Sequence, residues 1–214
     1  MVERTKNRPI ASGKISVKKS LIYVFLLCFT AFLILIQFNF NTIILGLASM
    51  PFAFSYPLMK RFTYWPQLFL GITFNFGAIL GWTSINDQIS LIPIILYFGA
   101  IFWTLGYDTI YGFQDIKDDE IIGLKSTSIK FKSNPIVFLY LCYTIFILSL
   151  ILVGFLEEFS KLYFISLIMI VLQMYYFQLK KFRKDSPSEC LEIFKSNNFL
   201  GTLVFLILLV GKLV

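Results

Sequence analysis

Long runs without a charged residue are the feature that most constrains the fold of this chain. No Asp, Glu, Lys or Arg occurs between Lys19 and Lys60, and further uncharged runs follow. A helix needs about 20 apolar residues to cross about 30 Å of hydrocarbon. The runs therefore predict an all-α bundle of about seven transmembrane helices. Their approximate bounds are residues 20–37, 41–58, 66–84, 89–107, 135–156, 161–179 and 197–213, and the last is the shortest.

The composition excludes several other classes of protein. Of the 214 residues, 57% are hydrophobic and only 14% are charged, whereas a soluble domain has about 25% charged residues. The same values exclude an intrinsically disordered chain. The three cysteines, an odd number, lie in or beside apolar runs, which indicates reduced thiols and not a disulfide framework. Histidine is absent, so we expect neither a His-ligated metal nor a His general base.

The distribution of basic residues predicts how the helices are oriented. If the N-terminal segment is cytoplasmic and the loops alternate, 17 of the 19 Lys and Arg residues lie on the cytoplasmic side. Only Lys161 and Lys212 lie on the other side, as the positive-inside bias requires. We therefore expect the net charge of +7 to reflect membrane orientation and not binding to nucleic acid.

An acidic cluster follows the fourth predicted helix, where five of the twelve acids fall between Asp108 and Glu120. If the helix continues at 100° per residue, Asp108, Asp115 and Asp119 lie within about 40° of one another. A divalent cation would relieve their repulsion, and carboxylate oxygens suit Mg²⁺ or Ca²⁺. Mg²⁺ typically combines one or two carboxylates with water and phosphate oxygens.

A solvated acidic loop is the alternative interpretation of this cluster, and an isolated pair of acids would favour it. Basic residues on the same predicted side favour a site for a polyphosphate instead. These residues are Arg4, Arg8, Lys60, Arg61 and Lys125.

Five segments of the chain resemble the UbiA-type membrane prenyltransferases, and within them the 4-hydroxybenzoate polyprenyltransferases. In chain order they are RTKNRPIASG (4–13), YPLMKRFTYWPQLFLG (56–71), FNFGAILGW (74–82), YDTIYGFQDIKDDEIIGLKST (107–127) and FKSNNFLG (194–201). The fourth segment is the most specific of the five, and the last is the weakest.

The resemblance implies a bundle of nine transmembrane helices around a cavity that binds Mg²⁺ and a diphosphate at one end. It implies that Asp108, Asp115 and Asp119 form the second of two aspartate-rich motifs, as catalytic and metal-binding residues. Six further residues match substrate- or diphosphate-binding positions or line the implied pocket. They are Arg4, Arg8, Lys60, Tyr111, Lys125 and Asn75.

The chain departs from the family pattern at its N-terminus. The first aspartate-rich motif, NDxxDxxxD, does not occur, and neither do the two helices that bracket it. Nine helices less two equals the seven that hydropathy predicts. We therefore expect residues 1–214 to form a single transmembrane prenyltransferase domain that is truncated relative to the family. A start codon assigned too late and a split or decayed gene would each explain the truncation.

The reaction implied by the resemblance transfers a polyprenyl group from polyprenyl diphosphate to the ring of 4-hydroxybenzoate, as in ubiquinone biosynthesis. We expect Mg²⁺ as the cofactor, and a bacterial inner membrane with the active-site loops in the cytoplasm. Two alternatives stay open. One is an inactive, truncated fragment of such an enzyme. The other is a non-enzymatic transporter or scaffold subunit, which would place acids inside the spans and not at one end.

Overall fold

The computed structural model of the protein describes residues 7–213, and within that range every regular element is a helix. Seven spans of this part of the chain are long and apolar enough to cross a membrane, so the predicted all-α membrane bundle is confirmed. The helices are α1 (Val17–Leu35), α2 (Phe40–Ser55), α3 (Met59–Phe62), α4 (Pro66–Phe74), α5 (Phe76–Asn86), α6 (Leu91–Gly112), α7 (Ile116–Ile122), α8 (Thr127–Lys130), α9 (Pro135–Leu156), α10 (Lys161–Val171) and α11 (Pro187–Leu213).

Local sequence signals explain where several of these helices begin. Ser16 and Asn39 precede α1 and α2, and their side chains accept hydrogen bonds from the backbone N–H of Lys19 and Thr42. Such N-caps satisfy donors that the first turn of a helix leaves unpaired. Proline opens α4, α9 and α11, because its missing N–H costs nothing in the first turn.

Three of the seven spans are composite. α2 continues through a 3₁₀ turn (Tyr56–Leu58) into α3, and α10 continues into a π-helical segment (Leu172–Leu179). α4 and α5 are separated by a break at Asn75. These interruptions expose backbone groups that a regular helix would pair internally, so side chains from neighbouring helices must compensate within the membrane.

α6 is the central helix of the bundle and packs against α4, α9 and α11. Two glycines allow its close approach to α9. A Cβ atom at Gly106 would lie 2.5 Å from the Tyr143 ring, and one at Gly99 would lie 2.5 Å from the Ser149 Cβ. Small residues at helix contacts are the usual means of tight packing in lipid, where the hydrophobic effect does not drive helix association. By contrast, the described helix α1 buries none of its residues.

The loops meet at two opposite ends of the bundle. At one end, Lys60 contacts the segment between α6 and α9. At the other, the Asn41 side chain donates to the Asp87 carbonyl oxygen (2.8 Å), and Lys212 pairs with Glu157. The first end carries the loops that the charge distribution assigns to a common side.

The last helix differs most from its predicted bounds, because α11 begins at Pro187 and not near residue 197. Its first turns contain charged residues, so hydropathy alone does not mark them. They are nevertheless part of the core, since Cys190 and Ile193 are buried. Hydropathy detects the portion of a helix inside the hydrocarbon, whereas the helix itself extends into the interface.

Candidate active site

The acidic segment does not continue α6, so the condition for a single helical stripe of carboxylates is not met. α6 ends at Gly112, and Asp115 precedes the separate helix α7. At this turn Gly112 lies against Ser128, and there is no room for a Cβ atom beside the Ser128 hydroxyl. Asp108 therefore occupies the last turns of α6, half-buried, while Asp115 and Asp119 are buried around the start of α7.

Asp119 is held by an ion pair with Lys60, across 59 residues of sequence. The Lys60 Nζ donates to Asp119 Oδ2 at 2.8 Å, and the Asp119 side chain is only 2% exposed. A carboxylate so deeply buried requires a charge partner. The Lys60 carbonyl oxygen also accepts a hydrogen bond from the Lys125 N–H at 2.8 Å. The two contacts fix α3 against the loop that follows α7.

Asp108 belongs to the same electrostatic neighbourhood. Its carboxylate interacts with the charge of Lys60, and Tyr56 lies within electrostatic range of both Asp108 and Tyr111. Tyr56 sits in the 3₁₀ turn before α3, so this irregular turn brings a phenol and an ammonium group towards the end of α6. The arrangement places acids, a cation and phenols together at one end of the bundle.

A buried network of uncharged polar residues fixes the acidic segment onto α6. The Thr109 and Thr127 hydroxyls lie 2.6 Å apart, and the Ser128 hydroxyl donates to the Thr109 carbonyl at 2.7 Å. The Gln67 side-chain oxygen accepts from the Thr127 N–H at 3.0 Å. All four residues are at most 3% exposed. Thr109, Thr127 and Gln67 all lie in segments that carry the family resemblance, but none of them was predicted as a site residue.

The other predicted binding residues lie in several places. The Lys125 ammonium donates to the Phe62 carbonyl oxygen (3.3 Å) and lies 5.6 Å from the centre of the Tyr64 ring. Arg8 is exposed in the turns before α1, beside a groove that Tyr23 also lines. Arg4 lies outside the described residues.

A cavity of about 400 Å³ opens next to the acidic end, between the α4–α5 break, α6 and α11. Trp103, Tyr107 and Phe194 supply its aromatic wall. Tyr107 contacts both other rings edge to face, at centroid distances of 5.9 Å and 5.7 Å. Because Tyr107 directly precedes Asp108, the cavity adjoins the acidic end. The Tyr111 ring lies 4.2 Å from that of Phe194, at the same junction.

Asn75 lines this cavity. Its side-chain nitrogen donates to the Gly71 carbonyl (2.8 Å), the Ala100 carbonyl (3.1 Å) and the Thr104 hydroxyl (2.8 Å). These contacts join the α4–α5 break to α6. Most of the other lining residues lie in segments that carry the family resemblance, whereas Trp103, Thr104 and Thr202 lie outside them.

The carboxylates of the site suit a hard cation only if a further ligand completes the coordination shell of that cation. Among residues 7–213, no group of three or more Asp, Glu or Cys side chains is arranged to hold a metal ion. Mg²⁺ commonly takes one or two carboxylates and completes its shell with phosphate oxygens and water. The carboxylates of this end therefore fit a magnesium–diphosphate pair better than an isolated ion.

Comparison with known proteins identifies the family. Residues 1–206 match the model of the UbiA prenyltransferase family. The chain belongs to this family. It is 40% identical to 4-hydroxybenzoate geranyltransferase 2 of Lithospermum erythrorhizon, over 99% of the chain and 69% of the relative. It is 39% identical to mitochondrial 4-hydroxybenzoate polyprenyltransferase of Bos taurus, over 99% of the chain and 57% of the relative. Both relatives are transferases, and the chain spans only part of their length.

Solved structures agree with the fold. A UbiA homolog from Aeropyrum pernix K1 has a TM-score of 0.77 at 20% identity, over 95% of this chain and 78% of that one. A digeranylgeranylglyceryl phosphate synthase has a TM-score of 0.67 at 18% identity, over 98% and 76% of the two chains. The predicted family and the predicted helical membrane architecture are thus confirmed.

Proposed function

We propose that this chain transfers a polyprenyl group from polyprenyl diphosphate to the aromatic ring of 4-hydroxybenzoate, a reaction of ubiquinone biosynthesis. The observation that carries the proposal is the junction of a charged end with an aromatic cavity, at Tyr107 and Asp108. A prenyl diphosphate has a highly charged head and an apolar tail, so it requires both environments side by side. The names of the relatives support the same substrates.

The charged end would bind the diphosphate. Lys60 and Lys125 supply positive charge, and Tyr111 supplies a phenol at the mouth of the cavity. Asp108, Asp115 and Asp119 would hold Mg²⁺, and Asp119 also fixes Lys60. Bound Mg²⁺ would neutralise charge on the diphosphate and make it a better leaving group.

Arg4 and Arg8 are proposed to contribute further positive charge, and Arg8 is the proposed partner of the benzoate carboxylate. A planar guanidinium matches a carboxylate with two parallel hydrogen bonds. In this proposal the N-terminal segment therefore reaches the acceptor substrate, while the loops after α2 and α6 hold the donor.

The aromatic residues of the cavity would shield the reacting carbon of the prenyl group from water. When the C–O bond of the prenyl diphosphate breaks, its electron pair leaves with the diphosphate, and the allylic carbon becomes electron-poor. Trp103, Tyr107 and Phe194 present aromatic surface to that carbon and exclude water from it. A ring carbon ortho to the hydroxyl of 4-hydroxybenzoate then supplies the electron pair of the new C–C bond. Loss of the proton from that carbon restores aromaticity.

We further propose that residues 1–214 act as one prenyltransferase domain in a bacterial inner membrane, with the Lys- and Arg-rich loops in the cytoplasm. The strong bias of positive charge to one end supports this orientation. The prenyl tail would then enter the cavity from the surrounding lipid bilayer. The proposed function does not involve nucleic acid.

The proposal is tested with membranes from cells that express this chain, supplied with labelled 4-hydroxybenzoate, a polyprenyl diphosphate and Mg²⁺. We expect prenylated product that disappears with EDTA or with Asp108→Asn. Asp87→Asn is the matched control, because Asp87 is an exposed carboxylate at the opposite end whose left-handed conformation (φ 54°) asparagine tolerates. Unchanged product in Asp108→Asn, product that survives EDTA, or no product from the unaltered chain would contradict the proposal.

A further inference from the structure

A chain of hydrogen-bonded side chains crosses the core beside the cavity. The Tyr143 hydroxyl donates to the Gln178 side-chain oxygen at 2.6 Å, and the Gln178 side-chain nitrogen donates to the Asn197 oxygen at 3.2 Å. The Trp103 indole N–H donates to the same Asn197 oxygen at 2.8 Å. These contacts connect four spans beside the cavity, namely those of α9, the π-helical segment, α11 and α6.

The donors of this chain are used within the protein. Gln178 is 1% exposed, and its nitrogen also donates to the Ser196 hydroxyl at 3.1 Å. The Asn197 nitrogen donates to the Ile193 and Phe194 carbonyl oxygens, at 3.0 Å and 3.3 Å. Neither amide therefore has a donor left for a substrate. Buried polar groups in a membrane are costly, so a network of them requires an explanation. Because its amide donors are all used within the protein, a role in positioning explains the network better than a role in binding substrate.

The π-helical segment (Leu172–Leu179) is what presents Gln178 to the network. π-helical turns are rare and occur frequently at functional sites. Here the segment turns Met174 and Gln178 into the core, and both are at most 1% exposed. The irregular turn thus places a buried amide group against Asn197, which lines the cavity.

The network ends on the indole of Trp103, which lines the cavity. The Trp103 ring is stacked on Phe146, with centroids 5.0 Å apart and an interplanar angle of 19°. One face is therefore supported by packing, and the N–H edge is fixed by Asn197. With an edge and a face both held, the plane of the ring is fixed.

We infer that Gln178 is a positioning residue that holds the Trp103 indole, through Asn197, as a rigid wall shielding the reacting allylic carbon from water. This inference rests on the proposed function. Water that reaches the carbon forms a C–O bond, loses a proton and gives a prenyl alcohol, while the diphosphate leaves with the electron pair of the broken bond. A displaced indole therefore diverts the reaction from prenylated hydroxybenzoate to prenyl alcohol.

The first test measures the ratio of prenyl alcohol to prenylated hydroxybenzoate. Gln178→Met keeps the approximate side-chain volume and removes the hydrogen bonds, and Trp103→Phe removes only the indole N–H and part of the ring. We expect both to raise the ratio about fivefold or more, the effect of losing one ordinary hydrogen bond. Tyr163→Phe is the control, since it removes a buried hydrogen bond to the Leu150 carbonyl (2.8 Å) away from the cavity.

The outcomes separate positioning from stability. A fall in total turnover with an unchanged ratio in Gln178→Met would mean that the network only stabilises the bundle, and would overturn the inference. A raised ratio in Tyr163→Phe would do the same, because any loss of stability would then give the effect. Absence of both products from the unaltered chain would contradict the proposed function and would not bear on the position of the indole.

A second measurement is independent of turnover. With Trp65→Phe and Trp82→Phe, Trp103 is the only remaining tryptophan of the three. Its fluorescence should be quenched weakly by acrylamide in water, and Gln178→Met should raise the quenching constant about twofold or more as the freed indole becomes accessible. Tyr163→Phe should leave it unchanged. Equal quenching with glutamine and methionine at position 178 would overturn the inference even if no product forms.

Discussion

Removal of the Lys60 side chain is expected to destabilise the protein more than removal of its partner carboxylate. The Asp119 side chain is 2% exposed and that of Lys60 is 40% exposed, with 2.8 Å between Nζ and Oδ2. Lys60→Met leaves a buried carboxylate without a charge partner, which costs about 3–5 kcal/mol in a fully buried pair. Because the lysine reaches water, we expect about 2–3 kcal/mol here. Asp119→Asn should cost only about 1 kcal/mol, since the remaining ammonium can be hydrated.

The assay is a double-mutant cycle in which the free energy of unfolding in mixed detergent micelles is measured by circular dichroism. The double variant Lys60→Met/Asp119→Asn should recover part of the loss, because no buried charge remains. Lys212→Met is the matched control, because its partner Glu157 retains 20% exposure; it should cost less than about 1 kcal/mol. A Lys60→Met variant no less stable than Asp119→Asn would refute the idea that Asp119 is a buried charge compensated by Lys60.

Two further substitutions test how the acidic segment is attached to α6. Gly112→Ala should lower the free energy of unfolding by about 1–3 kcal/mol in the same micelle assay, because the new methyl group displaces the Ser128 hydroxyl. Gly77→Ala is the control, because its new methyl group meets open space, and it should be neutral or slightly stabilising. Gln67→Met leaves the buried Thr127 N–H without its acceptor and should lower the free energy of unfolding by about 1–3 kcal/mol. Hydrogen exchange at the Thr127 amide should become faster. An unchanged exchange rate would contradict this prediction.

The spans could be predicted from sequence because the bilayer imposes a local rule. Each span must contain enough consecutive apolar residues to cross the hydrocarbon, and the run from Lys19 to Lys60 satisfies that rule twice. The orientation stays a prediction, and it rests on loop charge in the same local manner. The family could be recognised because the residues of the segment 107–127 combine acids, tyrosines and glycine in a specific order.

The turn after α6 could not be predicted, because its cause is distant in sequence. The residues of this segment alone allow a continuous helix through Asp115. Where α6 ends at Gly112, Thr127 and Ser128 dock on it through hydrogen bonds to Thr109, which lies 18 and 19 residues away in sequence. The partner of Asp119 is likewise 59 residues away. Helical periodicity contains no information about either contact.

The irregular turns of the composite spans occur where the charged end and the cavity lie, and backbone chemistry explains why. A regular helix in lipid satisfies its own N–H and C=O groups, so an interruption is stable only where side chains replace those bonds. At the α4–α5 break, the Tyr97 hydroxyl donates to the Ile72 carbonyl at 2.8 Å and Asn75 bridges to α6. Of these two side chains, Asn75 also lines the cavity.

The π-helical segment also carries a polar side chain next to the cavity. Gln178 belongs to this segment and donates to Asn197 in the cavity wall. The 3₁₀ turn that carries Tyr56 directs α3 so that Lys60 reaches Asp119. The three interruptions thus coincide with the polar side chains of Asn75, Lys60 and Gln178, each of which is hydrogen-bonded within the protein. In a chain with so few charged residues, such pairing lets an apolar bundle contain a polar site without exposing unpaired polar groups to lipid.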